Sequence, residues 1–337
     1  MQNNQHADSP PKMDRTILLN LYRTMVSIRV TEEKIAELLQ QNQIRCPTHL
    51  YTGQEAIATG VCGALGPEDY IFGGHRSHGH YLAKGANLNA LMAELYGKVT
   101  GCSRGCGGSM HLIATEVGLL GTVPLVAATI PIAVGAGLAS KLRKDKKVSV
   151  AFFGDGATEE GHFHESLNMA ALYHLPVIFV CENNSYSSHM PILDRRAEDN
   201  IYKSGEAHGT PGIRLDGNDV VLVYAAAAEA VARARSGSGP TLLECRTYRW
   251  RGHVGPAMDL DVGVRRKDEM KEWLPKDPLT RARTALLEMG VAENEFERIE
   301  REVLSEVERA VDFAVQSPYP HESQLLDGVF ADQEGTN

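Results

Sequence analysis

Long runs of strongly apolar side chains are missing from this 337-residue sequence, and aromatic residues make up only 6% of it. The longest apolar stretch, from Leu119 to Leu138, is rich in Gly, Ala, Pro and Thr. Membrane insertion needs a more continuous content of Leu, Ile and Phe. The opening residues, MQNNQHADSPPKMDR, contain no apolar signal core. We therefore expect a cytoplasmic protein that does not associate with membranes.

An excess of positive charge is also missing, since 34 Lys and Arg stand against 43 Asp and Glu, for a formal net charge of -9. Non-specific nucleic-acid binding needs a basic surface, so we expect no nucleic-acid partner. Cysteine is sparse too, because six residues do not make a disulfide scaffold in a chain of this length. Cys102 and Cys106 have no second pair at zinc-site spacing, so reduced thiols are the better interpretation.

Short apolar runs alternate with helical patterns in the middle of the chain. The runs at 148–154 (VSVAFFG) and 175–183 (LPVIFVCEN) are typical of strands buried on both faces, and the run at 241–249 (TLLECRTYR) is predicted to be a third strand. Helical patterns cover 157–174 and 220–234. This alternation predicts an α/β fold with a mostly parallel sheet flanked by helices.

Helical additions are predicted at both ends of this core. One helix begins near Asp14, a possible N-cap, and another covers 292–315 with a single apolar stripe, listed here as Phe296, Ile299, Val303, Val307 and Val311. Residues 1–13 are expected to be a flexible arm, 14–331 a single domain and 332–337 a tail.

Two segments lack a regular pattern. The tract from Gly97 to Gly121 is so rich in glycine that it leaves little room for regular structure. The segment at 253–270, HVGPAMDLDVGVRRKDEM, is charged and has no strong periodicity. An irregular stretch of this length in a compact chain is often a functional loop.

Polar residues follow two of the predicted strands. One strand ends in Gly154-Asp155-Gly156-Ala157, and the next in Glu182-Asn183-Asn184-Ser185-Tyr186. Parallel strands end at the same edge of a sheet, where ligands bind, so Asp155 and Asn184 are expected to lie close together. A carboxylate and an amide oxygen suit a Mg²⁺ ion that is also held by phosphates, and the glycines permit a diphosphate to approach the backbone.

These motifs resemble those of the alpha subunits of two-subunit thiamine-diphosphate-dependent 2-oxo acid dehydrogenases, the pyruvate, acetoin and branched-chain group. The resemblance covers roughly residues 14–331. It includes HLYTGQEA, GGHRSHGHYLAKG, GGSMH, GDGATEEGHFHESLNMAALYHLPVIFVCENNSY, TYRWRGH and SQLLDGVFA. It implies a thiamine-diphosphate-binding fold that uses Mg²⁺ and acts as a component of an oxidoreductase.

The resemblance also implies roles for single residues around the diphosphate. Asp155 and Asn184 are expected to bind Mg²⁺ through their side chains, and Tyr186 through its carbonyl oxygen. Gly156 and Ala157 are expected to meet the diphosphate with their backbone amides.

Further roles fall on basic residues of the matched motifs. Arg76 is expected to pair with a diphosphate oxygen, for which its fork geometry is suited. His75 stands where pyruvate-type enzymes have a tyrosine and is expected to donate to the same phosphate. His253 is expected to lie over the diphosphate near the reacting centre. His49 and His78 match histidines that line the substrate channel. His49, His78 and His253 are therefore the candidate catalytic residues.

The resemblance implies a partner as well. In the two-subunit family the glutamate that activates the cofactor belongs to a beta subunit, so this chain is expected to be inactive alone and to work in an α₂β₂ assembly. Glu55, in GQEA, is the alternative activator within the chain. The acyl group is expected to pass to a lipoyl-bearing acyltransferase.

Several departures leave the substrate open. Val126 matches the residue whose backbone contacts the aminopyrimidine ring, but nearby Pro124 replaces a glycine and donates no amide hydrogen bond. No Ser, Thr or Tyr occurs from Val254 to Leu279, which excludes control by phosphorylation there. Cleavage of a 2-oxo acid or acetoin is the primary expectation. The alternatives are a specialised two-carbon transfer from a ketose or acyloin to a carrier-protein thiol, and a non-catalytic scaffold subunit. A nicotinamide-binding enzyme is disfavoured because no GxGxxG motif joins a strand to a helix.

Overall fold

The computed structural model describes residues 13–259 and 266–326. Its strands are β1 (Tyr70–Gly73), β2 (Leu119–Thr122), β3 (Ser149–Gly154), β4 (Val177–Asn183), β5 (Tyr186–Ser187), β6 (Met190–Pro191), β7 (Gly212–Asp216) and β8 (Thr241–Arg246). Six of them form a fully parallel sheet in the order β2-β1-β3-β4-β8-β7, and β5 and β6 form a short antiparallel hairpin. The predicted α/β fold with a parallel sheet is confirmed.

Helices cover both faces of the sheet and both ends of the chain. They are α1 (Arg15–Gln40), α2 (Glu55–Gly63), α3 (His78–Ala83), α4 (Leu88–Leu95), α5 (Thr129–Arg143), α6 (Gly161–Leu172), α7 (Lys203–Ala207), α8 (Val220–Arg235), α9 (Arg266–Trp273), α10 (Pro278–Glu288) and α11 (Glu293–Gln316). Asp14 caps α1 as predicted, because its carboxylate accepts the backbone N–H of Thr16 at 2.8 Å.

The central strands are buried on both faces because their side chains alternate between two hydrophobic clusters. In β3, Val150 and Phe152 pack with residues of α2 and α8. Ala151 and Phe153 point to the opposite face and pack with residues of α5 and α6. This two-sided burial explains why the central strands contain almost uninterrupted apolar residues.

The terminal helices pack on one another beside this core. Residues of α1, including Leu18 and Met25, share a cluster with Phe296 and Val303 of α11. The predicted stripe on α11 is confirmed up to Val307, which is fully buried. Beyond it, Ala310 and Ala314 are buried and Val311 is only partly so, because α11 turns this small-residue face toward α4.

The boundaries differ from the sequence-based expectation in a few places. β8 ends at Arg246 rather than at residue 249, and soon after it the backbone N–H of Trp250 donates to the carbonyl of Thr52 outside the sheet. β1, β2 and β7 were not predicted. No helix among the described residues is both long and apolar enough to span a membrane. The predicted arm and tail lie almost wholly outside the described residues, as do positions 260–265 of the predicted functional loop.

Candidate active site

The loops that follow five strands of the sheet lie together at its carboxyl edge. Gly73 pairs with Thr122, Gly154 with Glu182, and Asn183 with Arg246, so the carboxyl ends of these strands are level with one another. The loop after β1 leads toward β2 on one side, and the chain after β3 leads toward β4 on the other. A crevice is expected where the connections diverge in this way, and it is the usual ligand position in open α/β sheets.

A cavity of about 220 Å³ occupies this edge of the sheet. Its lining contains every predicted site residue except Asp155 and His78, namely His49, His75, Arg76, Val126, Gly156, Ala157, Asn184, Tyr186 and His253. These residues come from segments that are up to two hundred positions apart in the sequence. The parallel sheet brings them together because each follows, or packs against, the end of a strand.

The cavity floor exposes backbone rather than side chains at several glycines. A Cβ atom added to Gly74 or Gly154 would meet no atom within 4 Å, so both positions border open space. A Cβ atom on Gly156 would lie 2.6 Å from Oγ of Ser187, so a side chain does not fit there. A ligand can therefore approach the backbone closely, as a diphosphate requires.

Two buried guanidinium groups give the cavity a positive wall. Arg76 is 7% exposed and donates to the carbonyl oxygens of Leu50 and, at 3.1 Å, of His253. Arg249, at the end of the β8 segment, is 1% exposed and donates to the carbonyl of Ser188. Buried cations held in this way favour an anionic ligand.

Three histidines of the cavity lie edge to face against one another. The ring centroids of His49 and His75 are 4.6 Å apart, those of His49 and His253 are 5.0 Å apart, and those of His75 and His253 are 5.5 Å apart. Burial, reinforced by the charge of Arg76, lowers the pKa of His49 to about 3, of His75 to about 2 and of His253 to about 4. All three imidazoles are therefore neutral at physiological pH.

Asp155 lies beside the cavity, between two glycines that line it, and is 1% exposed. One carboxylate oxygen, Oδ2, forms an ion pair with Arg195, which also binds Glu159 at 2.5 Å. The other, Oδ1, is buried without a hydrogen-bond partner among the described residues. Burial raises the pKa of Asp155 and the ion pair with Arg195 counteracts that shift.

Asn184 and Tyr186 are positioned by a local turn. The Asn184 side chain accepts the backbone N–H of Tyr186 at 3.2 Å and donates to Gln54 at 3.0 Å. The Tyr186 hydroxyl bonds to Glu269 at 2.8 Å. Because Glu269 lies on α9, this bond ties the second half of the predicted functional loop to the cavity wall.

His78 and Glu55 are placed away from the cavity. His78 is fully buried, with one ring nitrogen 3.1 Å from Glu32 and the other 2.9 Å from Ser109, so it does not line the cavity as the sequence had suggested. Glu55 is also fully buried and pairs with Arg29 at 2.5 Å. Its neighbour Gln54 is the residue of this motif that reaches the cavity.

Sequence reasoning missed several lining residues, of which His80 and Glu182 are the most notable. Glu182 accepts hydrogen bonds from the hydroxyl of Tyr51 and from His80 at 2.9 Å, and His80 stacks on Phe152 with ring centroids 4.1 Å apart. Both residues belong to motifs that carried the resemblance. Their position in an apolar strand and on a short helix gave no separate signal that they face a ligand.

The chain matches the family described as Dehydrogenase E1 component over residues 22–323. It belongs to that family. Its relatives include the alpha subunit of the acetoin:2,6-dichlorophenolindophenol oxidoreductase of Bacillus subtilis, 43% identical over 93% of this chain and 93% of the relative. The alpha subunit of the Zymomonas mobilis pyruvate dehydrogenase E1 component is 39% identical over 94% of this chain and 89% of the relative. The chloroplastic pyruvate dehydrogenase E1 alpha-3 subunit of Arabidopsis thaliana is 44% identical over 94% of this chain and 75% of the relative.

Membership of the dehydrogenase E1 family confirms the predicted fold and the predicted dependence on thiamine diphosphate. This chain is therefore a component of a thiamine-diphosphate-dependent oxidoreductase. The cavity at the carboxyl edge of the sheet is the place where this chain collects anion-binding groups, oxygen ligands and neutral histidines.

Proposed function

We propose that this chain is the alpha subunit of an enzyme that cleaves a 2-oxo acid or acetoin and passes the two-carbon acyl unit to a lipoyl acceptor. The observation that carries the proposal is the single cavity where glycine backbone, buried arginines and neutral histidines converge. Thiamine diphosphate held in this cavity would supply the carbon nucleophile that such a cleavage needs. The protein has to bind and orient the cofactor and the substrate and to exclude water from the site.

The diphosphate fits the basic side of the cavity. Arg76 is fixed by two backbone carbonyls, so little side-chain entropy is lost when it also binds an anion. The open space at Gly74 and Gly154 gives phosphate oxygens room beside the backbone. His75, as a neutral imidazole, has one ring N–H available to donate.

A Mg²⁺ ion fits the acidic side. The unpartnered, buried Oδ1 of Asp155 is an oxygen that needs a cation, and Asn184 supplies an amide oxygen on the neighbouring strand end. Arg195 holds only Oδ2, which leaves Oδ1 for the metal. Arg195 is thus a positioning residue for the carboxylate.

The histidines are suited to moving protons in a dry site. His49 and His253 are neutral, and each has a ring nitrogen, Nδ1, that is buried without a partner among the described residues. A neutral imidazole can accept a proton at that atom or donate one from its other nitrogen. Acyl transfer to an opening disulfide needs such proton transfers.

The activating carboxylate is expected to come from a beta subunit. Glu55 is fully buried and forms an ion pair with Arg29, so it is not free to bind an aminopyrimidine nitrogen. The segments that line the cavity also expose apolar residues at its rim, with Leu125 70% and Val126 52% exposed. A partner surface that covers this rim completes the site in the proposed α₂β₂ assembly.

The test is to co-purify the full chain with its partner and to titrate thiamine diphosphate with Mg²⁺ by calorimetry. Turnover of acetoin and of pyruvate is then followed by reduction of 2,6-dichlorophenolindophenol. We expect tight binding and turnover in the complex, and no turnover by the chain alone. A chain that turns over either substrate alone contradicts the split site. Turnover of a ketose phosphate but of neither substrate supports the specialised two-carbon transfer instead.

A matched pair of variants tests the diphosphate site. Arg76→Lys keeps the charge but loses the two-pronged donor, so we expect cofactor affinity to fall by at least about tenfold, the equivalent of one charge-assisted hydrogen bond. Arg143→Lys makes the same change at an exposed position on α5 and should leave affinity unchanged. Equal affinities for both variants would remove Arg76 from the proposed site.

A further inference from the structure

The three cavity histidines have the arrangement of a transition-metal site. His49, His75 and His253 each offer a ring nitrogen, and these atoms all lie within 4.8 Å of one another. They come from the segment before α2, the loop after β1 and the segment after β8. The cluster therefore exists only in the folded chain, and no spacing in the sequence suggests it.

The ring nitrogens of this cluster are poorly satisfied by the protein. The Nδ1 atoms of His49 and His253 are buried and have no hydrogen-bond partner among the described residues. The Nε2 atom of His253 has only a long contact, 3.3 Å, with the hydroxyl of Ser188. Buried polar atoms normally have partners, so these nitrogens point to a ligand that the protein alone does not supply.

We propose that the cofactor-free chain binds one Zn²⁺-type ion through His49, His75 and His253, with water in the fourth position. Three imidazoles and an open position are a standard donor set for Zn²⁺, whereas Mg²⁺ prefers oxygen ligands. The site is therefore chemically distinct from the oxygen ligands of Asp155 and Asn184.

The geometry requires a small adjustment and sets a limit on affinity. Zn–N bonds of about 2.0–2.1 Å put the nitrogens of a tetrahedral site roughly 3.4 Å apart, so the nitrogens, which lie within 4.8 Å of one another, must approach by up to about 1.4 Å. His75 and His253 are only partly buried and have space to rotate into the cavity. The nearby charge of Arg76 opposes a second cation, so binding is moderate rather than tight.

The ion and the cofactor use the same side chains. His75 and His253 are the residues proposed to face the diphosphate, and a bound ion removes their nitrogens from that role. Binding is therefore mutually exclusive, and a transition-metal ion inhibits by blocking cofactor entry. This last point rests on the proposed function, whereas metal binding itself does not.

The experiment uses the full chain, freed of cofactor and metal by dialysis against a chelator that is then removed. Zn²⁺ is titrated by calorimetry, and Co²⁺ is titrated by visible absorption, which distinguishes tetrahedral from octahedral sites. We expect one ion per chain and the intense bands of a tetrahedral Co²⁺ site. Absence of saturable binding, or an octahedral spectrum, overturns the proposal.

Three variants locate the ion. His75→Tyr and His253→Gln each remove one ligand and should weaken binding by at least about tenfold, since even groups that only support a ligand are worth that much. His164→Gln is the matched control, because it disrupts a close histidine pair outside the cavity, in which His164 Nδ1 lies 3.4 Å from His208 Nε2. Loss of the Co²⁺ bands in the control but not in His75→Tyr would place the ion elsewhere. Circular dichroism confirms that each variant is folded, and His49→Gln replaces any variant that is not.

Competition separates this proposal from the proposed function. Adding thiamine diphosphate with Mg²⁺ to the Co²⁺-loaded complex of the chain and its partner should abolish the tetrahedral bands. If the bands persist while the cofactor binds, exclusion is wrong and the two sites are separate. If the cofactor does not bind even the metal-free complex, the proposed function fails and the metal site still stands on its own titration.

Discussion

At the scale of single residues, the cavity depends on groups that the fold keeps in unusual states. His49 is 8% exposed and stays neutral because burial and the charge of Arg76 both disfavour its protonated form. Asp155 stays beside the cavity with one oxygen paired and one unpaired. The neutral histidine and the half-paired carboxylate each lower the stability of the free chain. Each is also the form that the proposed ligands require.

This cost predicts a dependence of stability on pH. The pKa of His49, His75 and His253 falls from 6.5 to about 3, 2 and 4 on folding. Below pH 6.5 the unfolded chain therefore binds protons that the folded chain does not. The free energy of unfolding must fall as pH falls from 6.5 toward those lower values, by at most about 1.4 kcal/mol per pH unit for each histidine.

Urea unfolding of the full chain between about pH 6.5 and pH 5 checks this expectation. His49→Gln should reduce the slope of the unfolding free energy against pH by up to the contribution of one proton, about 1.4 kcal/mol per pH unit. His162→Gln removes an exposed histidine on α6 and should show the same slope as the native chain. An equal slope in all three proteins would mean that His49 is not held neutral in the folded state.

At the scale of elements, an internal carboxylate organises the glycine-rich tract that precedes β2. Glu94, near the end of α4, is 1% exposed and accepts four backbone N–H groups, those of Ser103 at 2.8 Å, Gly105 at 2.9 Å, Gly107 at 2.7 Å and Gly108 at 3.0 Å. This arrangement explains how a segment without regular structure is held in one conformation. The predicted lack of regular structure in the tract from Gly97 to Gly121 holds at residues 103–108 but is wrong at its end, where Thr115–Val117 form a 3₁₀ helix and β2 begins at Leu119. The role of Glu94 was not predicted.

We predict that Glu94→Gln loosens this loop. An amide offers one acceptor oxygen and turns its NH₂ toward backbone donors, so about half of the four bonds are lost. We expect a destabilisation of about 2–4 kcal/mol and faster hydrogen exchange at residues 103–108. Glu68→Gln makes the same change on a side chain that is 78% exposed and should alter neither. Unchanged exchange in Glu94→Gln would show that other contacts hold the loop.

The strands show which elements a sequence can reveal. β3 and β4 were predicted because the residues at 150–153 and 177–181 are apolar, and all of them are buried. β7 was not, because it is an edge strand and none of its residues is fully buried. β1 and β2 have only four residues each, too few for a period to emerge, and they form only because neighbouring strands supply the hydrogen bonds.

At the scale of the whole molecule, exposed apolar residues gather in the segments that lead away from the cavity. Ile132 on α5 is 53% exposed, and Leu193 after the β5–β6 hairpin is 65% exposed. Leu125 and Val126 line the cavity, and Ile132 and Leu193 lie a few residues beyond the lining residues Thr129 and Ser188. A chain that works alone has no use for such a rim, whereas a subunit that closes its site against a partner does.

We predict that Ile132→Glu and Leu193→Glu weaken assembly with the proposed beta subunit and lower turnover in parallel. Burying an unpaired carboxylate in an apolar contact is costly. Leu304→Glu, at a position that is 48% exposed on α11, should assemble normally. Analytical ultracentrifugation of the co-purified complex measures the assembly. If the Leu304 variant alone fails to assemble, the interface lies on the terminal helices instead.

The sequence by itself determined the fold class, the family and nine of the residues that line the cavity, because buried strands and strand-end motifs are local patterns. It placed Gly154, Gly156 and Asn184 at the ends of two parallel strands, which lie at the same edge of a sheet, and the family resemblance added Arg76 and His253. The tertiary structure decided which of these side chains face the cavity. It turned His78 toward Glu32, paired Asp155 with Arg195 and closed three distant histidines into one cluster. Such outcomes depend on packing between segments far apart in the chain, and no local pattern records that packing.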